Sequence, residues 1–176
     1  MMISRLAIFI IVTWSAIVYA HNNDFEVTPT SIRSTFFLHV VNYSQWQQRF
    51  TSLKFCSMEQ APQQHYQILQ KSDLVTKNNL KIDLQLVNTF SDAIEQRCNY
   101  IFIDKSQESK LLYKDLKQTS LSIVTIGETI AFLRNGGLVS LIEENGKIKI
   151  YINKQQYANS PVKFSARLLK YANFTG

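Results

Sequence analysis

Asn145-Gly146 lies between two apolar runs, 138–144 and 147–153, and no other pair of residues restricts the fold of this chain as strongly. A two-residue hairpin loop of type I′ needs positive φ at both central positions, which Asn and Gly supply at least cost. The short loop also sets the register. Glu144 faces Lys147, Glu143 faces Ile148, Ile142 faces Lys149, Leu141 faces Ile150, Ser140 faces Tyr151 and Val139 faces Ile152. One face then collects Val139, Leu141, Ile148, Ile150 and Ile152, while the other carries Ser140, Glu144, Lys147, Lys149 and Tyr151. Such a ribbon has one buried side. Glu143 is the misfit, near the tip where water reaches it. Cover for the buried side comes from 164–172, where Phe164, Leu168 and Ala172 stand at i, i+4 and i+8, the spacing of a helix. Gly136-Gly137, just before the first strand, reads as a turn whose backbone needs glycine, with a ligand contact as the alternative.

The other end of the chain carries an export signal. Residues 1–5 are short and basic, 6–18 are apolar apart from Thr13, Trp14 and Ser15, and Val18-Tyr19-Ala20 puts small residues at the cleavage positions. Removal after Ala20 is the expectation, because the apolar run is short for a membrane span. An uncleaved N-terminal anchor is the alternative. Residues 21–176 then form one domain, long enough to bury a core of its own. Losing Arg5 lowers the formal net charge from +6 to +5. The positive residues are scattered singly, with no basic run or Arg–aromatic interleaving of a nucleic-acid surface, so the exterior reads as solvated and mildly basic. Cys56 and Cys98 both follow the leader. Export into an oxidising compartment makes a disulfide the default, with two buried free thiols as the alternative.

Between the two ends, strands alternate with helices. Thr28-Pro29 opens a helix with Ile32, Phe36, Phe37, Val40 and Val41 at helical spacing, and Tyr43 and Trp46 continue its apolar side. His39 falls on its polar side. Residues 53–58 read as a strand and 61–70 as a helix started by Ala61-Pro62. Leu80, Ile82, Leu84 and Leu86 alternate with polar residues, as in a half-exposed strand near a sheet edge. Residues 92–96 make a helical turn. Residues 100–103 are a continuous apolar run, the pattern of a strand buried on both faces. Residues 106–117 form a helix with Leu111, Leu112 and Leu116 inward, 121–126 a second buried strand, and 128–133 a short helix. The fold class is α/β: a single domain with a mostly parallel sheet flanked by helices, plus a C-terminal antiparallel hairpin at one edge and its covering helix.

The C-terminal wording resembles the signature of the YfiR/HmsC-like family. A Gly-Gly, an apolar strand ending in Glu-Asn-Gly, a strand ending in Ile-Asn and a Ser-x-x-Leu-Leu-x-x-Ala segment appear here as Gly136-Gly137, residues 138–146, residues 150–153 and residues 165–172. Earlier landmarks of the resemblance are Asn42-Tyr43-Ser44-Gln45-Trp46, Phe55-Cys56, the second cysteine entering the strand at 98–103, and Val124-Thr125-Ile126-Gly127. The resemblance runs from about Ser31 to Ala172. It implies that Cys56 and Cys98 are joined. Some members carry a further cysteine pair near the Gly-Gly, which this chain lacks.

No catalytic pattern stands out. His21, His39 and His65 have no metal-ligand spacing, and there is no Gly-x-Ser-x-Gly elbow or phosphate loop. Asp104 follows a buried strand, where α/β enzymes often place a working carboxylate, yet it reads first as the N-cap of the next helix. Gly127-Glu128 marks a strand end where ligands bind in such sheets. Tyr151 sits on the polar hairpin face beside Ser140 and Lys149, where it either meets a protein partner or packs under a helix.

The resemblance implies a periplasmic, non-enzymatic regulator that binds and represses the periplasmic part of an inner-membrane diguanylate cyclase or sensor, in cyclic-di-GMP and biofilm signalling. Ser140, Lys149 and Tyr151 are the candidate partner-binding residues. No catalytic residue, metal, cofactor or nucleic acid is expected, and no membrane insertion after signal cleavage; a homodimer is allowed. The alternative is a periplasmic small-ligand-binding module of an envelope sensor or transport system, with its pocket near Gly127. A non-motif enzyme around Asp104 and Glu128 is the third reading.

Overall fold

A computed structural model describes residues 28–176, except 73, 77 and 119–121. The expected signal peptide and its cleavage after Ala20 lie outside the described residues. Helix α1 (Pro29–Asn42) leads into strand β1 (Ser44–Trp46), β2 (Ser52–Met58), α2 (Gln64–Gln70), β3 (Lys81–Leu86), α3 (Phe90–Glu95) and β4 (Tyr100–Ile103). There follow α4 (Lys110–Gln118), β5 (Val124–Gly127), α5 (Ile130–Arg134), the hairpin β6 (Val139–Glu144) and β7 (Lys147–Asn153), α6 (Lys154–Asn159), β8 (Val162–Phe164), α7 (Ala166–Leu169) and β9 (Ala172–Thr175).

Seven strands form one sheet in the order β3-β2-β4-β5-β6-β7-β9. The run from β3 to β6 is parallel, β7 is antiparallel to β6, and β9 is parallel to β7. The hairpin register is the one the Asn-Gly turn dictates, from Val139 opposite Ile152 to Glu144 opposite Lys147. Asn145 and Gly146 have φ of 51° and 71°, so the turn uses the positive-φ tolerance of both residues.

Strand alternation divides the interior into two cores. Leu53, Phe55, Tyr100, Phe102, Ile126, Leu141 and Ile150 point to one side, where Phe37, Val40 and Val41 of α1, Leu69 of α2 and Leu168 of α7 cover them. Cys56, Met58, Ile101 and Ile103 point to the other, under Phe90 and Ala93 of α3, Leu112 and Leu116 of α4 and Phe132 of α5. Helix α1 starts on a reciprocal cap: Thr28 Oγ1 accepts the Ser31 amide at 3.1 Å, and the Thr28 amide donates back to Ser31 Oγ at 2.9 Å. Cys56 and Cys98 are joined by a disulfide with Cα atoms 6.0 Å apart, inside the second core.

Four expectations change. The segment 164–172 is not one helix. Its first residues belong to β8, which pairs with β1; a single turn, α7, follows; and Ala172 starts β9. The Phe164 amide is taken by the Tyr157 hydroxyl at 3.0 Å and the Ser165 amide by the Tyr43 carbonyl at 2.8 Å, which holds the chain extended there. The open edge of β7 then supplies ladder partners to residues 172–175. The hairpin is therefore not the sheet edge, and residues of α1 together with Leu168 of α7 cover its buried face. Leu111 is 69% exposed, because α4 begins at Lys110 and points Leu112 and Leu116, one turn apart, at the core. Trp46 leaves the helix pattern altogether: α1 stops at Asn42, and Trp46 lies in β1 with its indole N–H donating to the buried Tyr100 hydroxyl at 2.8 Å.

Candidate functional site

The chain leaves β2 outward to β3 and returns to β4 on the other flank of β2. That reversal creates the crevice where ligands of open α/β sheets bind, at the C-terminal ends of the strands. Here Glu59, Asp104 and Glu128 each follow directly on β2, β4 and β5. All three carboxylates are engaged. Glu59 accepts the amides of His65 at 3.1 Å and Tyr66 at 3.0 Å, the Ser57 hydroxyl, and shares a hydrogen bond of 3.2 Å with His65 Nδ1. Asp104 caps a single 3₁₀ turn by accepting the Ser106 amide at 2.8 Å. Glu128 accepts the Lys105 amide at 2.8 Å and pairs with Arg33 of α1 at 2.9 Å. Arg33 Nε also reaches the Leu141 carbonyl at 3.4 Å.

The electrostatics follow from those contacts. Burial raises the Glu128 carboxyl above its ordinary range, although the Lys105 amide and the Arg33 guanidinium oppose it. Burial works against ionising Asp104 as well, but the hydrogen bonds from Ser106, together with that of Glu128 and the His65 charge, outweigh it and hold that carboxyl low. His65 is 5% exposed, with its ring centroid 4.7 Å from Phe102 and 5.6 Å from Phe37. Its Nε2 is buried without a hydrogen-bond partner among the described residues. Asp104 is thus a cap, as its position suggested, but of the 3₁₀ turn and not of α4.

At the strand end, the space beside Gly127 is taken by a phenylalanine. Phe132 lies against both Gly127 and Gly137, and a Cβ added there would meet its ring at 2.5 Å and 2.1 Å. Gly136 has φ of +104°, which only glycine adopts freely. Gly136-Gly137 is a backbone turn that lets β6 pass under a fully buried phenylalanine.

The structure separates the three hairpin residues proposed to meet a partner. Ser140 is fully buried and donates to the Thr129 carbonyl at 2.8 Å, so the start of α5 covers that end of the face. Lys149 and Tyr151 remain together beyond it. Both donate to Glu144, at 2.7 Å and 2.5 Å. The Lys149 hydrogen bond holds the Glu144 carboxyl below its ordinary range, and Glu144 in turn raises both Lys149 and Tyr151. Glu144 is the residue sequence reasoning missed. Strict register pairs it with Lys147, but same-face diagonal neighbours are within reach of long side chains, and that rule points to Lys149.

Among the described residues no group of three or more His, Cys, Asp or Glu is placed to hold a metal ion, and no helix is long and apolar enough to cross a membrane. No curated protein matches the chain. Among solved structures, the ABC domain in complex with L-Trp from Streptococcus pneumonia superposes with a TM-score of 0.53 at 10% identity, over 83% of this chain and 60% of that one. That likeness is one of fold. The family model described as YfiR/HmsC-like matches residues 30–173, from the first turn of α1 into β9 and across both cores, and the chain therefore belongs to the YfiR/HmsC-like family.

Proposed function

We propose that residues 21–176 act in the periplasm as a non-catalytic regulator that binds the periplasmic portion of an inner-membrane diguanylate cyclase and holds it inactive. The family match over residues 30–173 carries this reading, since regulation of that kind is what the family implies. Two features of the molecule support it. The carboxylates at the sheet's C-terminal end are tied to backbone amides and to Arg33. The Cys56–Cys98 disulfide suits an exported domain. We place the docking face at the open end of the hairpin, where Glu144 pre-orders Lys149 and Tyr151. Ser140 drops out of that face because it is buried.

Deleting the gene from its host and measuring cyclic-di-GMP tests this directly. Repression predicts a rise in the deletion strain, reversed by the wild-type gene. It also predicts recovery of a cyclase-bearing membrane protein by in-cell crosslinking. Lys149→Glu combined with Tyr151→Ala should leave the fold intact and fail to restore the low level. An unchanged level in the deletion strain would refute the assignment.

A further inference from the structure

A largely apolar hollow lies beside the hairpin face and shares Lys149 with it. It is a groove of about 320 Å³ between α1, β7 and α7. Volumes of this order hold small organic ligands. Its floor is aliphatic: Ile148, Ile150 and Leu168. One wall is an aromatic stripe on α1, in which His39 meets Phe36 edge-on at 5.8 Å and Tyr43 at 6.1 Å. The spacing 36, 39, 43 puts these rings on one helix face. Tyr171, 68% exposed, stands at the opposite lip.

The charge at this groove is one-sided. No aspartate or glutamate lines it. Arg167 is exposed at its mouth and makes no ion pair among the described residues. One of its Nη1 hydrogens donates to the Tyr43 hydroxyl at 3.4 Å, and the guanidinium stands 5.9 Å from that ring's centroid. The contact steers the fork toward the aromatic wall and leaves further N–H donors for a ligand. The Lys149 ammonium is already matched by Glu144, so it adds no second cation. A single guanidinium beside an apolar trough suits one planar monoanion better than a dianionic phosphate, which calls for more than one cation.

We propose that this groove binds a small amphiphilic carboxylate, its apolar body lying along Ile148, Ile150 and Leu168 and its head group on Arg167. The assignment is independent of the repressor role. It also moves the small-ligand site expected at Gly127, where Phe132 lies against the glycine, to the other end of the hairpin's buried face.

Decanoate, with decanol as its uncharged counterpart, probes the site on the mature chain by methyl NMR and calorimetry. The expected result is saturable decanoate binding that shifts the Ile148, Ile150 and Leu168 methyls, with decanol binding at least tenfold more weakly. Arg167→Gln, at an exposed position that leaves the fold unchanged, should weaken decanoate about tenfold and leave decanol unaffected. Tyr171→Ala should weaken both. The proposal is overturned if decanoate moves no groove methyl, or if Arg167→Gln binds it as the wild type does. It is also overturned if the acidic peptide acetyl-Asp-Phe-Glu shifts those methyls and decanoate does not, since the groove would then be a protein-docking surface.

Discussion

The Arg33 guanidinium lies 2.9 Å from the Glu128 carboxylate, with both side chains inside the protein at 10% and 5% exposure. This pair ties the first helix to the turn after β5, while Arg33 Nε and the Lys105 amide connect it to β6 and to the end of β4. Removing one partner of a buried pair strands the other charge, which typically costs about 3–5 kcal/mol. Glu128 can relieve part of that by taking up a proton, so Arg33→Met should fall at the lower end, about 3 kcal/mol in urea unfolding. The double variant Arg33→Met, Glu128→Met should lose less than Arg33→Met alone. A larger loss in the double variant would mean the pair is not where the stability resides.

The same carboxylate sets a pH dependence whose sign is fixed. Burial raises the folded-state pKa of Glu128 above its ordinary value of 4.5. The folded protein therefore holds this proton more tightly than the unfolded chain, and stability is lost as pH rises from the unfolded value through the raised one. Glu128→Gln keeps the shape and removes the titration. Glu128→Gln also strands Arg33, which sets an offset between the two proteins. Relative to that offset, the difference in unfolding free energy should shift toward Glu128→Gln as pH rises above 4.5. A gap that stays constant across that window would show that Glu128 is not destabilised by burial.

Gly137 and Gly146 should respond oppositely to what their backbones alone suggest. Gly146 has φ of +71° with nothing within 4 Å of an added Cβ, so Gly146→Ala costs about the left-handed penalty, 1–2 kcal/mol. Gly137 has no positive φ, yet its Cβ would sit 2.1 Å from the fully buried Phe132 ring. Overpacking of that kind costs about 3 kcal/mol or more. Thermal unfolding should rank Gly137→Ala well below Gly146→Ala. Pairing Gly137→Ala with Phe132→Leu should lose less than the sum of the two single changes.

Which parts of this molecule are legible in the sequence depends on how local their causes are. The hairpin register follows from two residues, Asn145 and Gly146, and from side-chain alternation, so it is readable in full. The parallel strand at residues 100–103 is a continuous apolar run, which announces burial on both faces, and the next strand, expected at 121–126, forms at 124–127. Strands β8 and β9 are short, and what decides them is distant: Tyr43 and Tyr157 hold one extended, and the open edge of β7 templates the other. Burial of Ser140 is illegible for a similar reason. Alternation gives its face of the strand, but only the path of α5 decides that this end of the face is covered. The Arg33–Glu128 pair spans 95 positions, since 128 − 33 = 95, and no spacing rule reaches that far.

The Cys56–Cys98 disulfide closes a separation of 42 residues, for which the chain-entropy relation gives about 4 kcal/mol. In a domain of this size that corresponds to a fall in Tm of about 8–16 °C when both cysteines become alanine. Cys56 is fully buried and Cys98 is 5% exposed. A reductant therefore reaches the bond only when the second core opens. Native protein in dithiothreitol should keep its disulfide far longer than the same protein in denaturant, as thiol labelling would report. Rapid reduction without denaturant would show that this core opens readily, and would make the bond a candidate redox sensor for the regulated partner.

The hairpin face gives the last test, because its three groups must move in different directions. Glu144 is held below its ordinary range first by the Lys149 hydrogen bond and then by that of Tyr151. Its contribution is present above the unfolded value of 4.5 and is lost as pH falls through the lowered folded value. Tyr151 is raised chiefly by the hydrogen bond to Glu144, whereas the Lys149 charge lowers it. Lys149→Gln should move the Glu144 carboxyl up and push the Tyr151 hydroxyl further up. Glu144→Gln should return Tyr151 toward its ordinary 10.0. Carboxyl and ring resonances followed by NMR titration separate these outcomes. If Tyr151 titrates identically in the wild type and in Glu144→Gln, the pre-ordered face does not form in solution, and the docking role given to Lys149 and Tyr151 falls with it.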